Sequence, residues 1–177
     1  MSFEAVNFYN TLLAVLALVA LIAAIGLAGY RAFRGPDTVS ALGSSALWMA
    51  WVVAFVATLG SLFYSEVIHF LPCRLCWFQR IAMYPMSVIL LIGAIRKEAL
   101  VRIYALPFAF GGLGLSIWHY LTQTFPSLEG GSCDPNNPCS AKYVDMFGFV
   151  SIPFMAGAGF TLIAVLLILY VRASNYE

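Results

Sequence analysis

Four cysteines, arranged as two close pairs, are the residues of this 177-residue chain best suited to chemistry. Cys73 and Cys76 form a Cys-x-x-Cys sequence directly after Pro72, and Cys133 and Cys139 close the segment Cys-Asp-Pro-Asn-Asn-Pro-Cys. Two neighbouring thiols can form a disulfide and exchange it with other thiols. At the start of a helix such a dithiol becomes more reactive, because the positive end of the helix dipole stabilises a thiolate. We therefore predict that Cys73 and Cys76 are redox-active.

Two other uses of the same cysteines stay open at this point. Both pairs could be static disulfides, and this alternative competes most strongly for Cys133 and Cys139. All four sulfurs could instead bind one structural zinc ion, since paired cysteines are also zinc ligands. However, the spacing of the second pair is loose for such a site, and an oxidising compartment works against thiolate ligands. The pattern favours redox use, and no metal site is predicted.

The composition places these cysteines in a membrane protein. Hydrophobic residues make up 62% of the chain and charged residues only 10%, and the mean hydropathy is +0.90. Soluble domains are roughly half apolar and about a quarter charged, so water is not the main solvent of this chain. A formal net charge of +1 provides no basic surface that would attract nucleic acid. We expect one compact domain that contacts membrane lipid and no nucleic acid.

Long gaps between charged residues predict the elements that position the cysteines. Four uncharged stretches hold at least 20 residues each, and a fifth stretch contains a single charge, Arg80. About 20 residues at ~1.5 Å rise cover a hydrocarbon core of ~30 Å. Backbone groups in lipid must be satisfied within the segment, so each stretch is predicted to be a helix. The prediction is an all-α membrane protein with five transmembrane helices, over residues 11–30, 41–65, 76–95, 103–128 and 146–171.

The distribution of Lys and Arg predicts the orientation of these helices. With the first helix running from outside to inside, six basic residues lie on the cytoplasmic side and three outside, as the positive-inside rule favours. The six are Arg31, Arg34, Arg96, Lys97, Arg102 and Arg172, and the three are Arg74, Arg80 and Lys142. Because no basic region precedes the first stretch, it is predicted to be a retained span rather than a signal peptide. The linkers 35–45 and 96–102 are then cytoplasmic, and both cysteine pairs are extracytoplasmic.

The stretch from residue 60 to 85, GSLFYSEVIHFLPCRLCWFQRIAMYP, resembles the disulfide bond formation protein B family, and is most similar to its short Gram-positive type. Further matches are His119 with Gln123 before Phe125 and Pro126, the late cysteine pair, and GFVSIP over 148–153. The Cys-x-x-Cys-Trp-x-Gln-Arg core is far more specific than a bare Cys-x-x-Cys. The resemblance covers roughly residues 45–172. It implies a multi-pass protein of the bacterial cytoplasmic membrane with four helices around a quinone site.

The first span, about residues 9–33, departs from this four-helix pattern. We therefore divide the chain into an N-terminal transmembrane helix with a cytoplasmic linker (1–43) and a four-helix thiol:quinone oxidoreductase core (44–177). The additional helix could face lipid, dock a partner or replace packing that another subunit supplies. The sequence leaves these three roles open.

The resemblance implies an enzyme with Cys73, Cys76, Cys133 and Cys139 as catalytic residues. A reduced, thioredoxin-like extracytoplasmic thiol oxidase would attack the outer-loop disulfide at Cys133, by analogy with the family, and free Cys139. Exchange with Cys73 would follow, and Cys76 would pass the electrons to menaquinone or ubiquinone. The product is a disulfide in the partner, which supports disulfide formation in exported proteins. Whether Cys133 or Cys139 is attacked first stays open.

Five residues form the expected quinone site: Trp77, Gln79, Arg80, His119 and Gln123. Arg80 follows Cys76 by four residues, so it shares a helix face with that sulfur one turn deeper. There, as the resemblance implies, it would stabilise negative charge on the quinone oxygen. The alternatives are that Arg80 snorkels to the headgroups and that His119 is a packing residue. Trp77 has an alternative role too: with Trp118, Tyr64 and Tyr143 it is predicted to form an aromatic belt.

Two other functions remain possible. A vitamin K epoxide reductase-like enzyme uses similar helices and cysteines with the opposite electron direction. A non-enzymatic membrane subunit would hold both pairs as static disulfides.

Overall fold

The computed structural model describes residues 2–34, 45–98, 100–131 and 133–170. Residues 35–44 of the predicted linker, and Arg172, lie outside the described residues. The described part contains five long helices: α1 (Phe3–Arg34), α2 (Ser45–Leu62), α3 (Arg74–Arg96), α4 (Val101–Thr124) and α5 (Ile152–Leu169). A π-helical turn, Phe63–Val67, extends α2, and a 3-10 turn, Pro126–Glu129, follows α4. All five helices are long and apolar enough to cross a membrane, which confirms the predicted fold class.

Several helix ends differ from the limits that the charge pattern predicted: α1 runs Phe3–Arg34 rather than 11–30, and the end of α4 and the start of α5 also differ. Helix α4 ends at Thr124 because Pro126 follows, and the residue before a proline disfavours helical backbone. Helix α5 begins at Ile152 with Pro153 in its first turn, although the uncharged stretch starts at residue 146. The uncharged residues between are a turn, in which Phe147 and Gly148 have positive φ. At these two helices, proline therefore marks the helix end more sharply than the absence of charge does.

Helices α2 to α5 form a bundle in which α4 packs on α3 and α5, and α2 packs on the same two helices. Phe160 on α5 is fully buried against α4. The helices can approach this closely because Gly112 has no side chain, and a Cβ atom there would meet the Phe160 ring. Helix α1 packs along α5. At the far end of α1, Arg31 Nη1 donates to the carbonyl oxygen of Ile168 at 3.0 Å.

The helix ends that carry the cysteines meet at one end of the bundle, which we call the cysteine end. It consists of the N-termini of α1, α3 and α5 and the C-termini of α2 and α4. Tyr9 near the start of α1 donates to the carbonyl oxygen of Gly60 at 3.3 Å, and Tyr64 donates to Asn10 Oδ1 at 3.0 Å. The outward faces of the helices carry large apolar side chains, including Ile22 on α1. Such surfaces suit lipid rather than water.

Candidate functional site

Cys73 and Cys76 lie at the start of α3, and Cys73 is the N-cap residue. Its sulfur accepts a hydrogen bond from the backbone N–H of Cys76 at 3.3 Å, and the two sulfurs, both free thiols, are 2.7 Å apart. Because α3 begins at Arg74, it is Cys73 that caps the positive end of the helix dipole. The hydrogen bond with the Cys76 thiol, and after it His119, lower the pKa of the Cys73 thiol well below its ordinary value, although burial opposes this shift.

His119 on α4 contacts both cysteine pairs. Its Nε2 atom lies 3.6 Å from the sulfur of Cys73 and 3.1 Å from the carbonyl oxygen of Cys139. The side chain is buried, and its Nδ1 atom has no hydrogen-bond partner among the described residues. Because a carbonyl oxygen only accepts, Nε2 carries the hydrogen in this arrangement, and the same N–H can stabilise a thiolate at Cys73.

The second pair, Cys133 and Cys139, forms a disulfide whose Cα atoms are 5.9 Å apart. Both residues belong to one buried cluster with Cys73 and Leu75, and Cys76 packs against this cluster. Asn137, inside the disulfide loop, donates from Nδ2 to the carbonyl oxygen of Pro72 at 3.2 Å. The structure therefore brings the four predicted catalytic cysteines together, although the two pairs are far apart in the chain.

Glu129 supports the disulfide loop from the turn after α4. Its Oε1 accepts from the backbone N–H of Cys139 at 2.7 Å, and its Oε2 accepts from the Ser140 hydroxyl at 2.7 Å. Gln123 supports the same segment, since its Nε2 donates to the carbonyl oxygen of Ala141 at 3.2 Å. These bonds hold the disulfide segment against the C-terminal end of α4 and the turn that follows it.

Among the described residues, the cysteines belong to two separate groups of side chains that could bind a metal ion. One group is Cys73, Cys76 and His119, and the other is Glu129, Cys133 and Cys139. The alternative of one zinc site built from all four sulfurs does not match this arrangement, because two of the sulfurs are bonded to each other.

A cavity of about 400 Å³ adjoins Cys76, and the other three cysteines are not among its lining residues. Besides Cys76, the cavity is lined on α3 by Gln79 and Arg80, two of the five predicted quinone-site residues. The other three, Trp77, His119 and Gln123, do not line it. His119 contacts the Cys73 sulfur and the Cys139 carbonyl oxygen, Gln123 contacts the segment after Cys139, and Trp77 is exposed. Tyr64 and Tyr143, which the sequence placed in an aromatic belt, do line the cavity.

Arg80 is held in the cavity wall by α2. Its Nε donates to Ser61 Oγ at 3.0 Å, and its Nη2 donates to the Ser61 carbonyl oxygen at 3.0 Å. Tyr84 donates to the same hydroxyl at 3.1 Å, and the guanidinium carbon lies 5.2 Å from the centre of the Trp77 ring. An arginine that only snorkels would extend past the helix end, whereas Arg80 reaches sideways between helices.

Three residues of this site were not predicted. Ser61 and Tyr84 orient Arg80, and Glu129 orients the disulfide loop. Ser61 and Tyr84 lie inside the stretch that carried the family resemblance, so the motif contained them without indicating their use. Glu129 is an acidic residue four positions before Cys133, and nothing in its spacing indicated a contact with Cys139.

Comparison with known proteins identifies the family. The profile of the family described as Disulfide bond formation protein DsbB matches residues 43–170. A protein of Oceanobacillus iheyensis named "Probable disulfide formation protein" is 49% identical over 131 residues, which cover 71% of this chain and 88% of the relative. The "Disulfide bond formation protein C" of Bacillus subtilis is 46% identical over 124 residues, 70% of this chain and 90% of the relative. No solved structure matches the chain. The chain belongs to the disulfide bond formation protein B family, and it is a disulfide-generating oxidoreductase with five membrane-spanning helices.

Proposed function

We propose that this protein is a thiol:quinone oxidoreductase that reoxidises a thioredoxin-like, extracytoplasmic thiol oxidase. The proposal rests on the position of the Cys73–Cys76 dithiol, which lies between the loop disulfide and the cavity. Cys73 belongs to the buried cluster with the loop disulfide, and Cys76 lines the cavity with Arg80. As a disulfide, this pair can therefore take two electrons from the loop dithiol, and as a dithiol it can release them on the side of the cavity.

The cavity suits a membrane quinone, either menaquinone or ubiquinone. Hydrogen-bonding groups of Ser61, Gln79 and Arg80 line it near Cys76, and most of the other lining residues are apolar. A quinone has the same division, with a polar ring and an apolar tail. When bound, it supplies an acceptor for two electrons and two protons.

The first exchange is between the partner and the disulfide loop. A thiolate of the reduced partner attacks Cys133, the Cys133–Cys139 bond breaks, and a mixed disulfide forms while Cys139 leaves as a thiolate. Cys133 is 9% exposed and Cys139 is fully buried, which supports Cys133 as the attacked sulfur. The second thiol of the partner then resolves the mixed disulfide. The partner has become oxidised, and Cys133 and Cys139 have become a dithiol.

The second exchange is between the two pairs. The loop dithiol reduces a Cys73–Cys76 disulfide, so that Cys133 and Cys139 are joined again and Cys73 and Cys76 become thiols. The described state, a loop disulfide beside two free thiols, is the one that results from this step. His119 Nε2–H donates to the carbonyl oxygen of Cys139, and its position 3.6 Å from the Cys73 sulfur also lets it stabilise the Cys73 thiolate. A quinone held beside Cys76 and Arg80 would supply the acceptor for the two electrons and two protons lost when Cys73 and Cys76 form their disulfide again, and Arg80 is the residue that would stabilise negative charge on it.

The remaining parts of the proposal concern orientation and organisation. Both cysteine pairs face outside the cytoplasm, where the partner and its exported substrates are found. Residues 44–177 form the oxidoreductase core and residues 1–43 an N-terminal addition. The identity of the partner class rests on the family, since a membrane enzyme that generates disulfides needs a soluble carrier for them.

Quinol formation tests the proposal. The purified protein in nanodiscs is mixed with a reduced thioredoxin-like oxidase and menaquinone or ubiquinone, and we expect one quinol for each disulfide formed in the partner. Cys133→Ser serves as the inactive control. Oxidation of the partner without quinol formation would contradict the proposal. Electron flow from quinol to the partner's disulfide would instead indicate the epoxide reductase-like direction. A Cys73–Cys76 disulfide that resists mild thiol would indicate a static subunit.

A further inference from the structure

Helix α1 lies outside the matched region of the family, which begins at residue 43, and yet it lines the cavity. We propose that α1 completes the quinone site by forming the wall that binds the isoprenoid tail, and that the tail enters between α1 and α2. This inference rests on the proposed function. The α1 residues in the wall are Leu13, Leu16, Ala17, Val19, Ala20 and Ala23.

The wall has the length and the surface that an isoprenoid chain needs. From Leu13 to Ala23, ten steps of ~1.5 Å rise give a groove of about 15 Å along the helix. Ala17, Ala20 and Ala23 recur at three-residue spacing and so share one face. Their small side chains leave room where leucines would fill the gap. The opposite wall on α2 includes Val53 and Ala57 and is also apolar.

The polar groups of the cavity are confined to one end. Ser61, Gln79 and Arg80 lie near Cys76 at the cysteine end, whereas the α1 wall contributes only aliphatic side chains. Burial of a polar molecule along such a wall would leave its hydrogen bonds unsatisfied. A ligand with a polar ring beside Cys76 and an apolar chain along α1 meets both parts of the cavity. This division favours a lipid-soluble quinone over a water-soluble acceptor.

The cavity opens sideways between α1 and α2. Leu16 and Val19 on α1 line the cavity and are also 45% and 57% exposed, and Val52 and Val56 on α2 line it and are 47% and 39% exposed. Residues that are both lining and exposed mark the mouth of a cavity, and these four mark a mouth between the two helices. Leu71 and Tyr143 also line the cavity and are 67% and 39% exposed, which marks a second opening at the cysteine end. Since the outer faces of α1 and α2 are apolar, the mouth between them opens toward lipid. A quinone can therefore enter from the membrane without crossing water.

Polar contacts hold α1 beside this mouth at the cysteine end. Tyr9 donates to the Gly60 carbonyl oxygen at 3.3 Å, and its ring centre lies 4.1 Å from that of Phe63. Asn10 accepts from Tyr64, which itself lines the cavity. These bonds join α1 to α2 at the level of the redox groups. The apolar mouth lies farther from the cysteine end than these bonds do. Helix α1 is thus fixed where the quinone ring would bind.

A bulky side chain on the α1 wall tests the inference. Ala20→Phe fills the groove, and Ala28→Phe is the matched control, because Ala28 is exposed on the same helix and does not line the cavity. Turnover is measured with menaquinone and with menadione, which has the same ring without the tail, and with the corresponding pair of ubiquinones. We expect Ala20→Phe to raise KM for the tailed quinone about tenfold, equivalent to ~1.4 kcal/mol. KM for the tail-less ring and all values for Ala28→Phe should stay within about twofold.

The tail-less quinone also distinguishes the inference from the proposed function. If the unmodified protein reduces both quinones and Ala20→Phe changes neither KM, or changes both equally, the tail does not bind along α1 and the proposed function stands. If the unmodified protein reduces no quinone, the proposed function is wrong and this inference is wrong with it.

Photolabelling of the unmodified protein tests binding without turnover and without a variant that must fold. Menaquinone with a diazirine at the end of its tail is added, the protein is irradiated, and labelled peptides are identified by mass spectrometry. We expect labels within residues 13–23, reduced by excess unlabelled menaquinone. Labels confined to α3, α4 and α5 would overturn the inference. Ala57→Phe on the opposite wall should reduce the labelling of α1, and Ala28→Phe should not.

Discussion

His119 Nε2 lies 3.6 Å from the sulfur of Cys73, so α4 contributes an imidazole to a thiol that caps α3. The two residues are 46 positions apart in the chain. The family resemblance implied a quinone ligand at His119, but the side chain is buried between the two cysteine pairs and does not line the cavity. This contact links the redox pairs to each other. It leads to the first of four predictions.

His119→Ala should make Cys73 less reactive at low pH. The pKa of the Cys73 thiol is lowered in the protein, so its thiolate persists as the pH falls below the ordinary range and is lost only when the pH passes the lowered pKa. Removal of His119 takes away one cause of this shift and should move the pKa upward. Each pKa unit of rise reduces the thiolate fraction about tenfold at pH values below the pKa. The measurement is the pH profile of alkylation at Cys73, followed by mass spectrometry.

His69→Ala is the matched control, because His69 is the other histidine of the chain and is exposed. An unchanged pH profile in His119→Ala, in a protein that retains its helices, would contradict a role for His119 at the thiol. The hydrogen bond between Cys76 and Cys73 should persist in the variant, so the pKa of the Cys73 thiol should stay partly lowered.

Substitution of one cysteine in each pair should block a different step of the relay. Cys76→Ser should block delivery of electrons to quinone, because Cys76 is the cysteine that lines the cavity. A single exchange between the partner and the loop disulfide should survive. Cys133→Ser should instead prevent the mixed disulfide with the partner. Partner oxidation in a single turnover and quinol formation are measured separately. Full quinone-coupled turnover in either variant would contradict the relay.

Arg80→Ala should slow quinone reduction by about 10² to 10³, which is the typical cost of removing one preorganised donor from an electrostatic site. Arg80→Lys should restore part of the rate, because lysine keeps the charge without the planar fork. Ser61→Ala should have a smaller effect, since it removes the Oγ acceptor but leaves the carbonyl oxygen that receives Nη2. Exchange between the partner and the loop should be unaffected.

Arg102→Ala is the control for the loss of charge, since Arg102 is exposed near the start of α4 at the opposite end of the bundle. The rate and KM for quinone are measured in each variant. A folded Arg80→Ala protein that reduces quinone at the unmodified rate would show that the guanidinium does not act on the acceptor.

Glu129→Ala should loosen the disulfide loop. The carboxylate accepts from the Cys139 N–H and from Ser140, and a hydrogen bond to a charged group contributes about 1.5 to 3 kcal/mol. We expect dithiothreitol to reduce the Cys133–Cys139 disulfide severalfold faster in the variant. Asp145→Ala is the control, because Asp145 is an exposed acid that pairs with Lys142 in the same segment between α4 and α5. Equal reduction rates in the unmodified protein and Glu129→Ala would show that the carboxylate does not hold the loop.

The sequence by itself determined the features that depend on residues close together in the chain. Four charge-free stretches and one that contains only Arg80 predicted five helices, because length and apolarity suffice for a span in lipid. The four-residue step from Cys76 to Arg80 placed both on one face of α3, and both line the cavity. The Cys-x-x-Cys core and its flanking residues indicated the family.

Only the tertiary structure decided which helix faces meet. In a soluble protein a polar face and an apolar face reveal which side of a helix is buried, but in lipid both sides are apolar and that signal is lost. The sequence therefore left the role of α1 open, and the packed structure places α1 against the cavity that contains Cys76. For the same reason no spacing could show that His119 approaches Cys73 or that Arg80 bonds to Ser61. These contacts join different helices, and long-range packing alone creates them.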